Sequence, residues 1–309
     1  MGRYLLRRIG EMVVVVLGAT LILFACLFIL PGDPVGSIAG SDRARDPAVV
    51  KQLRERYGLD KPLIVQYGTY VGRLAQGDMG EDFTQRRQVS EILGPKLVNT
   101  AKLALVAIIF DVVIGAAVGT LAALKRYSLW DTVVTMFTTI VVGFPTFVIG
   151  MLLLNLFAVQ LKWVPVIGDP GDPLQVILPA VTLAIIDAAL VARLMRGTML
   201  EVLRADYVKT AIAKGVPRRQ VLLKHVMRNS VIPVVTYIGI SFGGLLGGAL
   251  ITESIFNWDG VGLAMATAIQ QQNNPVIIGV ATWGVGIFVV LNLLVDLMYA
   301  MLDPRIRLS

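Results

Sequence analysis

Residues 198–233 read TMLEVLRADYVKTAIAKGVPRRQVLLKHVMRNSVIP. Seven Lys and Arg residues (Arg204, Lys209, Lys214, Arg218, Arg219, Lys224 and Arg228) fall here, in the middle of a sequence that is otherwise apolar. Leu200, Leu203, Tyr207 and Ala211 recur at spacings of three, four and four, which predicts one helical face, with Glu201, Arg204 and Lys209 off that line. Gly215 supplies a stop, because glycine accepts the left-handed conformation that closes a helix. Pro217 cannot continue that helix but can open the next. The spacing therefore predicts two short helices around a turn, the second running through RRQVLLKHVM into a membrane span. On charge alone this is a solvated loop that fixes topology. As an amphipathic helix tethered at both ends, it is a handle for a partner.

Working outward, 56% hydrophobic residues, 16% charged residues and a mean hydropathy of +0.73 exclude an ordinary soluble domain of 309 residues. Six apolar runs are long enough to cross a bilayer, which takes about 17 residues or more. They are 9–30, 103–124, 132–159, 176–192, 231–251 and 276–302. The expected fold class is an all-α integral membrane protein of six transmembrane helices. PGDP follows the first run directly, so that run reads as an uncleaved span and not as a signal peptide. Residues 31–99 are polar and mixed in charge and read as an extracytoplasmic insertion. Within it DPAVVKQLRERYG predicts a helix ending at Gly58, and KPLIVQYGTYVGRLAQG another ending at Gly77.

Positive charge in short loops marks the cytoplasmic side. Arg3, Arg7 and Arg8, Lys125 and Arg126, Arg193 and Arg196, the seven cations above, and Arg305 and Arg307 all fall on one side of a six-span layout. The short loops of the other side hold only Lys162. Both termini are thus expected in the cytoplasm of a multi-pass cell-membrane protein. This bias accounts for most of the net charge of +7, so no nucleic-acid partner is needed. Cys26, the single cysteine, sits in the first span and reads as a packing residue.

Asp111, Asp187 and Asp296 fall within spans, where a carboxylate is costly and faces protein or a water-filled cavity. They read either as hydrogen-bonding groups between spans or as a proton relay. Glycines at Gly115 and Gly119, in FGGLLGGAL, and at Gly279, Gly284 and Gly286 suit close helix packing. Pro145 and Pro179 are expected to kink the third and fourth spans. Phe256 and Trp258 suit an interfacial or partner-facing surface. No phosphate-binding loop, HExxH, CxxC or GxSxG pattern occurs, which predicts a non-enzymatic chain without a metal site. His225 lies on the second short helix and receives no chemical role.

The order of residues is more specific than any of these features. DYVKTAIAKG, a basic turn and RNSVIPVV resemble the cytoplasmic coupling loop (198–230) of ABC-importer permeases in its peptide-permease version. LPGDP, YGLDKPLIVQY, GDMG, ESIFNWDGVG and LLVDLMYAMLDPRIRLS are similar to further segments of the B-type permease of dipeptide and oligopeptide (and nickel) importers, so the likeness covers nearly the whole chain. Departures from the pattern stand out, among them a proline that lies further on, at Pro233. Lys209 and Thr210 occupy positions where the general loop pattern has an acidic residue and an alanine, leaving Ala211 as the match, and Glu81, Asp82 and Phe83 follow the GDMG. The resemblance implies a type I ABC importer permease fold and a translocation pathway for di- or oligopeptides. It implies as partners a second permease subunit, ABC ATPase subunits that bind ATP and Mg, and an extracytoplasmic substrate-binding protein. This chain itself needs no cofactor. Asp206, Tyr207, Lys209, Thr210, Ala211 and Gly215 are the ATPase-coupling residues it implies. Nickel, glutathione and haem importers have similar permeases. A proton-coupled secondary transporter using the three acids, and a non-transporting scaffold, are the alternatives from other classes.

Overall fold

The computed structural model describes residues 2–29, 47–57, 60–82, 85–166 and 170–302. Leu30 to Pro34 with the first part of the insertion, Gly58, Phe83 and the ending with Arg305 and Arg307 lie outside the described residues, as do the side chains of Arg3 and Asp296 and those of 242–248. The chain divides into two compact units, 1–100 with 259–309, and 101–258.

In the first unit, α1 (Gly2–Ile29) packs against α12 (Asn274–Leu302), with α2 (Pro47–Tyr57) and α3 (Leu63–Leu74) from the insertion. Both insertion helices fall where the sequence predicts them. Tyr67 of α3 donates to the Leu17 carbonyl of α1 at 2.9 Å, its ring meets Phe24 edge-on at 5.6 Å, and the Tyr70 hydroxyl lies 2.7 Å from Thr282 of α12. α3 therefore lies along the first span and does not stand clear of it. Gly77, at φ +82, closes α3 by accepting the left-handed conformation, with its N–H on Leu74 and the next N–H on Arg73. The chain then turns through Gly80, also left-handed, into an antiparallel bridge between Glu81 and Gln88. Asp82, one of the residues that depart from the family pattern after GDMG, is buried. It accepts the Gln85 N–H at 3.0 Å and the Asn273 amide at 2.8 Å, so it fixes both this turn and the start of α12.

That turn delivers α4 (Val89–Leu124), which begins at Val89 and not at Leu103, where the apolar run suggests. Its first turns carry polar residues and Pro95 but are held by tertiary contacts. Val89 and Leu93 sit in a buried cluster with Ala268, Val276, Ile277 and Val280. Lys96 pairs with Asp259, Asn99 donates to the Asp259 carbonyl, and Thr100 accepts the Val261 N–H that opens α11 (Val261–Gln270). A run of hydropathy cannot register such contacts.

The second unit holds the rest of α4, then α5 (Leu129–Gly143), α6 (Thr146–Leu153) with a wide π turn to Gln160, α7 (Ile177–Val202), α8 (Asp206–Ala213), the single turn α9 (Arg218–Gln220), a second π turn (Val221–Met227) and α10 (Arg228–Phe256). Pro145 does more than kink its span. Phe144 and Pro145 are extended and the helices on either side are bent by 106°. Pro179 kinks nothing, because it is the third residue of α7, where an N–H has no partner to lose. Gly115 and Gly119 do mark a close approach. A Cβ on Gly115 would stand 2.8 Å from the Ala188 carbonyl of α7, and one on Gly119 would stand 2.4 Å from that of Ala192. Gly284 and Gly286 meet nothing within 4 Å. Phe256 and Trp258 are 3% and 1% exposed; Trp258 packs among Leu103, Ala107, Ala180 and Leu183, so neither is the surface aromatic that its composition suggests.

Among the described residues four helices are long and apolar enough to cross a membrane, and the bent pair α5–α6 makes a fifth if counted as one span. α10 runs unbroken through the expected fifth run, 231–251.

Candidate functional site

The polar segment is built differently from its sequence periodicity. α7 continues to Val202, then Leu203 to Ala205 form a turn in which Ala205 is extended (φ −64, ψ 144), and α8 starts afresh at Asp206. Leu200, Leu203, Tyr207 and Ala211 therefore do not share one helix. The break rotates the register: Val208 becomes the fully buried anchor, and Tyr207 is 46% exposed. Val208 enters a cluster with Met195 and Met199 of α7, Val221 and Val226 of the second π turn, and Val234 of α10, with Leu200, Leu203 and Ala211 packed at its edge. Residues five apart align in a π turn, which is why Val221 and Val226 reach the same core. With α8 starting at Asp206, the spacing of three between Ala205, Val208 and Ala211 marks the inward face.

Gly215 does what its type predicts. It has φ +77, its N–H donates to the Ile212 carbonyl at 2.9 Å, and the Val216 N–H donates to that of Ala211 at 3.2 Å. These two bonds are a Schellman closure. Asp206, Tyr207, Lys209 and Thr210 lie on the exposed side of α8, and Ala211 is half-buried. Lys209 pairs with Asp206 at 2.9 Å, one turn away and solvated, so the pair contributes little. Ile212, 60% exposed, joins Tyr207 as a large apolar side chain on this helix and was not singled out by the sequence. All seven cations of the segment are exposed. The result is a short helix with its polar side open, fastened by one valine to α7 and α10.

Two of the three acids lie near each other. Asp187 on α7 accepts the Tyr237 and Ser241 hydroxyls of α10 through Oδ1, both at 2.9 Å. Asp111 on α4 is fully buried, neither of its oxygens meets a donor among the described residues, and Asp187 is its electrostatic neighbour.

The sequence matches the family described as the binding-protein-dependent transport system inner membrane component over residues 115–308, and its N-terminal companion over residues 1–104. This chain belongs to the binding-protein-dependent permeases. Similar relatives include a dipeptide transport system permease of Alkalihalophilus pseudofirmus, 36% identical over 98% of this chain and 99% of that one. A glutathione transport system permease of Salmonella choleraesuis is 38% identical over 99% of both chains, and a di/tripeptide transport system permease of Pseudomonas aeruginosa is 38% identical over 98% of both. The protein is thus a multi-pass inner-membrane permease subunit of an ABC importer of the peptide and glutathione type, and it is non-catalytic.

In this permease α7 is also fastened to the start of α5. Ser128 caps α5 by accepting the Asp131 N–H, while the Asp131 carboxylate accepts the N–H of Tyr127, the residue before the cap, at 3.0 Å. Arg196 of α7 then grips both oxygens of Asp131 at 2.5 and 2.9 Å, and Arg193 donates to the Thr138 carbonyl. Charge counting treats Arg193 and Arg196 as topology signals; packing gives them partners. Arg196→Ala is expected to lower the stability of the purified permease by about 1.5–3 kcal/mol, the range for hydrogen bonds to charged groups. Arg196→Lys should recover only part, because an ammonium lacks the planar fork. Thermal denaturation of both variants checks this, and equal midpoints for alanine and wild type would refute it.

Proposed function

We propose that this permease is the B-type membrane subunit of an importer of short peptides, with six spans and both termini in the cytoplasm. In that layout α10 provides the fifth span, residues 31–99 form the extracytoplasmic insertion and residues 198–230 form the coupling loop. Its partners are a second permease, two ATPase subunits that hold ATP and Mg, and an extracytoplasmic binding protein. The coupling contacts fall on the exposed side of α8, at Asp206, Tyr207, Lys209 and Thr210, with Ala211 and Gly215 holding the helix in shape.

The observation that carries this reading is the mounting of α8. Val208 locks it to Met195 and Met199 of α7 and, through Val221, Val226 and Val234, to the start of α10. A push on α8 from closing ATPase subunits therefore moves two long helices together. Short peptides are favoured as cargo because relatives named for dipeptide, di/tripeptide and glutathione transport resemble the chain about equally, at 36–38% identity. Glutathione is itself a tripeptide.

The test is purification from native membranes in mild detergent, identification of the co-purifying subunits, and reconstitution with the binding protein. A second permease and an ATPase in one particle, with peptide uptake that stops when ATP is withheld, is the expected result. A lone chain whose uptake follows a proton gradient would overturn the reading.

A further inference from the structure

We propose that Asp111 and Asp187 together bind one exchangeable proton, making a protonation site inside the membrane part of the permease. The site rests on how α4, α7 and α10 pack, and it stands whichever cargo is carried and whichever partners are present.

The packing brings the acids together. Gly115 lies one turn after Asp111, and its missing side chain lets α4 close on the Ala188 carbonyl of α7, the residue next to Asp187. The two carboxyls thus occupy facing helices at one of the tightest crossings in the unit. Their surroundings differ. Oδ1 of Asp187 accepts two hydroxyl donors, Tyr237 and Ser241, as an ionised carboxylate does, and this side chain is half-buried. Asp111 is 0% exposed and meets no donor at either oxygen among the described residues. Among the described residues, the groups that act on it electrostatically are Asp187 from α7 and the Tyr237 phenol from α10, and neither is a cation.

A second charge placed there would meet three penalties at once: lost hydration, no hydrogen bond and a like charge nearby. A single proton on Asp111 removes the charge, and with it the hydration and like-charge penalties, because the protonated carboxyl is neutral. Asp187 keeps its two hydroxyl donors. Asp187 is half-buried, so the pair is open on that side of the subunit. Sodium is a poorer occupant, because the two hydroxyl protons already point at Asp187 Oδ1.

The experiment is infrared difference spectroscopy of the whole transporter in lipid nanodiscs, titrated with pH in light and heavy water. The expected result is a protonated-carboxyl C=O band that shifts in heavy water and is lost in Asp111→Asn, which keeps the shape without the titratable group. In Asp187→Asn the band should remain but its pH profile should change, because the neighbouring carboxyl is gone. This second variant carries the test if the first does not assemble. A band unchanged in both variants would overturn the proposal. So would a band that depends on sodium, together with radioactive-sodium binding lost in Asp111→Asn.

Discussion

Gly119→Leu is expected to abolish the stable fold of the permease in the membrane. The hydrogen at Gly119 faces the backbone of α7. A Cβ there would stand 2.4 Å from the Ala192 carbonyl oxygen, 2.9 Å from the Met195 Cβ and 3.0 Å from the Ala192 Cα. None of these atoms is the free end of a flexible chain, so α4 and α7 must separate. Overpacking of a filled interior typically costs about 1–3 kcal/mol and occasionally more. Backbone against backbone lies at the upper end. Separation would also pull Asp111 away from Asp187 and uncover Ala123, Val191 and Met195, all now buried. Even Gly119→Ala should lower the melting temperature measurably. Gly94→Ala on the same helix meets nothing within 4 Å and should leave it unchanged or slightly higher, since alanine favours helix. Fluorescence-detected size exclusion after heating reads all three variants. A Gly119→Leu protein as heat-resistant as wild type would mean that α4 and α7 do not cross there.

Gly215→Val is expected to separate ATP hydrolysis from transport while leaving the protein inserted. The space around Gly215 is open, so the obstacle is the backbone: at φ +77 a β-branched residue is strained by about 1–3 kcal/mol. The strain is relieved by breaking the closure in which the Gly215 and Val216 N–H groups hold the Ile212 and Ala211 carbonyls. Without it the end of α8 frays and Tyr207, Lys209 and Thr210 lose their fixed presentation. Val208 stays buried, so the permease still folds. Gly215→Asn should retain more transport, because asparagine tolerates the left-handed region better than valine. The measurement is peptide taken up per ATP hydrolysed in reconstituted vesicles. A wild-type ratio in Gly215→Val would refute a coupling role for this turn and leave the segment as a topology signal.

Sequence by itself determined the features that depend on composition and on single-residue backbone preferences. An apolar excess of this size has only the membrane as solvent, so the class followed from hydropathy. Gly77 and Gly215 had to end helices because glycine takes positive φ without strain, and both do. Close packing at Gly115 and Gly119 was legible from their spacing of four. The order of short motifs gave the family, which the matches along the chain support. Tertiary structure alone decided where those preferences were overridden. Val89 starts α4 because its side chain is buried with Val276 and Val280, although hydropathy begins the span at Leu103. Phe256 and Trp258 look like surface aromatics until Leu103 and Ala180 close over Trp258. The extended Ala205 interrupts a helical repeat that reads as continuous through Ala211, and so exchanges Tyr207 for Val208 as the buried residue. Asp111 and Asp187 are 76 positions apart by their numbers, and no periodicity links them. The physical reason is common to all four: helix ends, burial and charge pairing depend on which neighbours arrive from distant parts of the chain, and local sequence does not encode those neighbours.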